Sequence, residues 1–139
     1  MATHQVSLLW KGNMMFDTEV NGHTIRLDAN TDDGGANTGP RPKPLMLDAF
    51  AGCTAMDVIS LLDKMKVNYA GLQIDVSGEL TDEHPKIYHK VHVIYMINAN
   101  EEEDDKIRKA VALSQDKYCG VSAMFRAFAE VSWEIKYVK

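Results

Sequence analysis

Hydrophobic and polar positions alternate near the start of the chain, where Val6, Leu8 and Trp10 are interleaved with Gln5, Ser7 and Lys11 ahead of Gly12. Successive side chains of an extended backbone point to opposite faces, so a period of two predicts a half-buried strand. Met14 to Val20 then meets Asn21-Gly22, and Ile25 and Leu27 follow in alternation with Thr24, Arg26 and Asp28. Asn-Gly suits a type I′ turn, so these runs predict a β-hairpin. From Asn30 to Pro42 the residues change to Asp, Gly, Asn, Thr and Pro without periodicity, which predicts a loop. Its length fits either a functional cover over a pocket or a mobile connection.

Pro42 and Pro44 can open a helix where amide donors are unpaired in any case. From Leu45 to Met65 apolar residues occupy nearly the whole helical circumference. One sheet in a chain of this size covers one face of such a helix, so the remaining apolar face predicts a homodimer. Leu72, Ile74, Val76 and Leu80 alternate with polar residues, and a second strand runs from Ile87 to Asn98, apolar on both faces from Val93 to Ile97. Asn100 before Glu101, Glu102 and Glu103 is a helix start with acids at the positive end of the dipole. The inner face of that helix would use Ile107, Ala110, Val111, Ser114 and Tyr118, with a left-handed exit at Cys119-Gly120. After a short segment from Val121 to Phe128, alternation from Ala129 to Tyr137 predicts a last strand. The expected order is βββ-α-ββ-α-β, an α+β chain with antiparallel sheets forming a single domain over residues 1–139.

Composition narrows the function classes. The chain has 139 residues, 45% apolar and 25% charged, with a formal net charge of -5. No basic stripe offers itself to phosphates, so nucleic acid is not the expected partner. The N-terminus lacks the pattern of a signal peptide. The cytoplasm is therefore the expected location, and Asp48 and Asp57, which interrupt the apolar stretch from Leu45 to Leu62, argue for a buried helix over a membrane span. No glycine-rich phosphate loop and no Gly-x-Ser-x-Gly elbow occurs. His89 and His92 lie three apart on a strand, on opposite faces, and read as packing or surface residues, as His4, His23 and His84 read as terminus, turn and loop positions. Cys53 and Cys119 lack any Cys-x-x-Cys or His-x-x-x-His companion, so no metal site and no bound cofactor are expected.

Two cysteines in a reducing compartment serve packing or reactivity. The small neighbours in Ala51-Gly52-Cys53-Thr54-Ala55 allow a ligand to approach the sulfur and equally allow tight helix packing. Three segments sharpen the choice: Gly39-Pro40-Arg41-Pro42-Lys43-Pro44-Leu45, Gly52-Cys53-Thr54-Ala55-Met56-Asp57-Val58, and Tyr118-Cys119-Gly120-Val121-Ser122-Ala123. Together they resemble the OsmC and organic-hydroperoxide-resistance family over nearly the whole chain. The resemblance implies an intertwined OsmC-like homodimer with a buried central helix carrying Cys53, and a thiol peroxidase acting on organic hydroperoxides. It implies that Cys53 is the peroxidatic cysteine and Cys119 the resolving one, with the resulting disulfide reduced by an external dithiol such as a lipoyl-protein. Peroxidases of this family resemble one another in an early-strand Arg that stabilises the thiolate and a Glu that holds it. Here Met14 or Met15 stands near the Arg position, Lys43 at the Glu position, and Pro44 where a closer subgroup places its acid. Arg26, Arg41, Lys43 and Arg126 are the candidate substitutes, since a nearby cation lowers a thiol pKa, while Asp57 one turn after Cys53 acts in the opposite sense. Two other functions remain in view: an OsmC-fold protein that binds a hydrophobic small molecule without catalysis, and a redox-sensing dithiol module.

Overall fold

Asn21 and Gly22 both adopt positive φ, 51° and 80°, as the two central residues of a type I′ turn must. They join β2 (Met15–Val20) to β3 (His23–Leu27), and β1 (Ser7–Gly12) completes an antiparallel sheet in the order β1-β2-β3. The computed structural model describes Met1–Lys139 and divides it into two compact units, Met1–Met46 and Leu47–Lys139. In the first unit the register aligns Leu8 with Thr18 and Ile25, and Trp10 with Phe16 and Leu27. That gathers an apolar sheet face, as the alternation predicts. The face is not buried, however: Leu8, Trp10 and Ile25 are exposed.

The loop after β3 is tied down from within. Asp28 is 3% exposed, and its carboxylate accepts from the backbone N–H of Ala29 at 2.7 Å, of Ala36 at 3.2 Å and of Thr38 at 3.0 Å, and from the Thr38 hydroxyl at 2.6 Å. A 3₁₀ turn at Thr31–Asp33 sits inside this clasp. Gly35 and Gly39 run so close to the carbonyls of Ala29 and Arg26 that a Cβ would lie 2.1 and 2.4 Å from them. The segment is thus a turn closed on its own carboxylate.

α1 (Pro42–Lys64) begins where the two prolines place it. Phe50, Thr54, Val58 and Leu62 recur at every fourth position and are its buried stripe, because residues so spaced share one helix face. Each of the three apolar members contributes roughly 1.5–3 kcal/mol on burial. The opposite side is not covered: Met56 is 77% exposed. By length and composition alone α1 could cross a membrane.

The stripe packs into the second unit, onto a sheet of β4 (Tyr69–Leu80), β5 (Tyr88–Ala99) and β6 (Glu130–Tyr137). Val91, Val93, Tyr95 and Ile97 of β5 are buried on the inner face, while Ile94 and Met96 on the other face are half-buried. β4 and β5 pair antiparallel, but β5 and β6 run parallel. This corrects the expected all-antiparallel arrangement: alternation reports which face a residue takes, not the direction of its strand. The parallel pair needs a long crossover, which is supplied by α2 (Asp104–Leu113) and α3 (Gly120–Arg126). Asn100 caps a 3₁₀ turn, Glu101–Glu103, that leads into α2. The short segment from Val121 to Phe128, to which the sequence assigned no element, is largely α3, and Gly120 opens it instead of closing the previous helix in a left-handed turn.

Candidate active site

One π-helical turn, Ser114–Tyr118, follows α2 and closes with the Cys119 N–H donating to the Ser114 carbonyl at 2.8 Å. Such a turn inserts an extra residue into the helical spiral. Ser114 and Gln115 stay buried, and Cys119 leaves the helix in extended conformation, with φ -78° and ψ 102°. Its sulfur then faces the start of α3, where the Ser122 N–H donates to Sγ at 3.3 Å. Cys53 comes from the middle of α1, next to the buried Thr54. The Sγ atoms of Cys53 and Cys119 and a carboxylate oxygen of Asp57, one turn after Cys53, lie within 4.8 Å of one another. Both cysteines are free thiols, Cys53 half-buried and Cys119 buried.

Beneath the sulfurs runs a chain of buried polar groups whose direction can be assigned. Ser114 Oγ donates to Asp57 Oδ2 at 3.0 Å, since the carboxylate can only accept. The Ser114 proton is thereby used, so the 2.7 Å contact between Ser114 Oγ and Thr54 Oγ1 is a donation from Thr54. It follows that Tyr95 donates its hydroxyl to Thr54 at 2.6 Å, and Tyr95 accepts from Gln115 Nε2 at 2.6 Å. Gln115 Oε1 accepts from Ser122 Oγ at 2.8 Å and from Arg126 Nη2 at 3.4 Å, and Arg126 Nε donates to Ser122 Oγ at 3.2 Å. The bonds thus point one way, from the Arg126 guanidinium to the Asp57 carboxylate. In a low-dielectric interior, aligned hydrogen bonds reinforce one another.

Burial pushes the Cys119 thiol up to about 12, helped by its hydrogen bond with Cys53 and the charges of Cys53 and Asp57, while the Ser122 N–H acts in the opposite sense. At neutral pH Cys119 is therefore a thiol. Burial also raises the Tyr95 hydroxyl, so it stays a proton donor in the chain.

Arg126 is the one candidate cation that the second unit contains; it shares a surface depression with Cys119 and ends 3.6 Å from Asp116. Arg26, Arg41 and Lys43 belong to the N-terminal unit. There Arg26 forms a two-pronged pair with Asp17 at 2.8 and 3.1 Å, and Arg41 donates to Asn37 Oδ1 at 2.6 Å and to the Gly39 carbonyl at 3.1 Å. Lys43 stands in the first turn of α1. His92 lies between Ser132 and Glu134 on the outer sheet face, and His89 lies 3.7 Å from Glu79. The sequence reading missed Thr54, Tyr95, Gln115 and Ser122. For two of them the signal was present as a hydroxyl on an otherwise apolar face: Thr54 in the stripe of Phe50, Val58 and Leu62, and Tyr95 amid the valines of β5.

Comparison with known proteins gives a consistent picture. The profile of a family described as OsmC-like protein matches residues 34–134. Protein YhfA of Escherichia coli strain K12 is 27% identical over 135 residues, which is 96% of this chain and 98% of YhfA. The crystal structure of a hypothetical protein from Aquifex aeolicus VF5 is similar at a TM-score of 0.81 and 26% identity, with all of both chains covered. An organic hydroperoxide resistance protein OsmC from Legionella pneumophila aligns at a TM-score of 0.70 and 16% identity over 98% of each chain, a likeness of fold.

Proposed function

The chain belongs to the OsmC-like family, and from that premise we propose that it is a thiol peroxidase reducing organic hydroperoxides through Cys53 and Cys119. The observation that carries this reading is the convergence of the chain's two cysteines, with sulfurs within 4.8 Å, one partly open to solvent and the other buried. Cys53 is the sulfur a peroxide can reach. Its thiolate attacks a peroxide oxygen, the O–O bond breaks, the alkoxide takes a proton and leaves as an alcohol, and Cys53 becomes a sulfenic acid. Cys119, held as a thiol until then, attacks that sulfur; the S–S bond forms, the S–O bond breaks and water departs. Asp57 is placed to take the Cys119 proton and deliver it to the leaving hydroxide. An external dithiol of the lipoyl class then exchanges with the disulfide and is itself oxidised to a cyclic disulfide.

An apolar depression of about 370 Å³ lies along α1, lined by Ala51, Gly52, Ala55, Ile59, Leu72 and Ile74, on a helix face turned away from that of Cys53 and Asp57. It supports the second reading, a binder of a hydrophobic small molecule. The exposed faces carrying Leu8, Trp10 and Ile25 on the first sheet and Met46 and Met56 on α1 support a homodimer, because apolar patches of this kind mark association surfaces. A dithiol site that is reset by an external dithiol fits a reducing compartment such as the cytoplasm.

Thiol counting and intact mass after a stoichiometric pulse of an alkyl hydroperoxide test the reading on wild type, Cys53→Ser and Cys119→Ser. The expected result is loss of both thiols with loss of about two mass units in the wild type, and a trappable sulfenic acid only in Cys119→Ser. Survival of both wild-type thiols puts the hydrophobic-ligand reading in its place.

A further inference from the structure

The absence of local Cys and His spacing sets metal binding aside in the sequence, but three dimensions restore the question. Two sulfurs and one carboxylate oxygen converge within 4.8 Å from α1 and the extended residue before α3. We propose that Cys53, Cys119 and Asp57 bind one divalent cation of the zinc class, with both Sγ atoms and an Asp57 oxygen as protein ligands and water in the fourth position. This uses the same thiols as the proposed peroxidase site and does not depend on peroxide chemistry.

Four observations support it. A tetrahedral ion with Zn–S bonds of about 2.3 Å holds its sulfurs about 3.8 Å apart, so small side-chain rotations bring these donors onto three corners. Two thiolates with one carboxylate favour zinc over the hard cations magnesium and calcium, which take oxygen ligands. The Ser114 hydroxyl anchors Asp57 Oδ2 at 3.0 Å, the kind of outer hydrogen bond that orients a ligating carboxylate. Three ligands with one position open to the solvent side, through the half-buried Cys53 and Asp57, is also the ligand count of a labile or catalytic zinc site more than of a closed structural one. Binding removes a proton from each thiol, Zn²⁺ plus two R–SH giving Zn(SR)₂ and two H⁺. A disulfide sulfur carries no anionic pair to donate, so metal and disulfide exclude each other and bound zinc shields the thiols from oxidants.

Anaerobic titration of the reduced full-length protein with Co²⁺, followed by displacement with Zn²⁺, tests the site. One Co²⁺ per chain is expected, with a sulfur-to-metal charge-transfer band, the intense visible bands of tetrahedral cobalt, and proton release at neutral pH. Cys53→Ser and Cys119→Ser should each reduce the charge-transfer band, and Asp57→Asn should weaken Zn²⁺ affinity at least about tenfold. Oxidising the wild-type pair with diamide should expel the ion. Because a cysteine variant can fail to fold, Asp57→Asn and the diamide-treated wild type carry the test by themselves, with circular dichroism as the check on folding. No charge-transfer band in the wild type, or metal binding that survives diamide unchanged, overturns the site. Neither result bears on the peroxide assay, and thiols that bind zinc yet ignore peroxide leave this site standing and remove the peroxidase.

Discussion

Two buried or half-buried carboxylates, Asp28 and Asp57, sit in opposite circumstances. Asp28 accepts four hydrogen bonds from a single loop, and these hold its carboxyl down at about 2, the Thr38 hydroxyl and N–H acting most strongly. Its lone pairs are consumed in holding backbone amides, so it is a structural clasp. Asp57 accepts from one hydroxyl, Ser114, and lies beside two sulfurs. It retains acceptor capacity beside two thiols, as the proposed proton transfer and the proposed cation site both require. The number of donors around a buried acid thus separates an acid that holds the fold from one free for chemistry.

The comparison can be broken at several points. The largest effect is expected at the hydrogen-bond chain that serves Asp57. Thr54→Val keeps the side-chain shape but leaves Tyr95 and Ser114 without their buried partner, and should cost about 1–3 kcal/mol in urea unfolding. Next, Asp28→Ala should raise amide hydrogen exchange at Ala36 and Thr38 on the order of tenfold or more, whereas Asp57→Asn should leave those amides unchanged; equal effects from both substitutions would erase the distinction.

Acid should then tell the two apart. Asp28 has its ordinary value of 3.8 lowered to about 2 by folding. The native state therefore binds its proton less tightly than the unfolded chain does, and the stabilisation is complete above pH 3.8 and lost as pH falls toward 2. Asp28→Asn should flatten the stability curve in that window, read from urea midpoints at successive pH values. The smallest effect belongs to the thiol. Asp57→Asn removes one of the lesser influences on Cys119 and leaves the larger one, burial. The alkylation profile of Cys119 should shift to slightly lower pH while the thiol stays protonated at neutrality.

Much of this was readable in advance because it is local. Alternation placed the strands, Asn21-Gly22 placed the hairpin, Pro42 and Pro44 placed the start of α1, and Asn100 placed the turn that opens α2. The three cysteine-bearing and proline-bearing segments pointed to the family. Other features depend on partners distant in the chain. A period of two does not distinguish the parallel β5–β6 pairing from an antiparallel one, since direction is set by how the crossover through α2 and α3 packs. The π turn at Ser114–Tyr118 has no composition signal, yet it keeps Ser114 and Gln115 inward and aims Cys119 at the Ser122 amide.

The sequence by itself determined most of the elements, the family and the two thiols, because period, turn chemistry and segment likeness are properties of neighbouring residues. Only the tertiary structure decided what surrounds those thiols. The chain from Arg126 to Asp57 joins residues of α1, β5, the π turn and α3, and a hydrogen bond exists only where folding brings a donor to its acceptor and removes the water that would otherwise satisfy both.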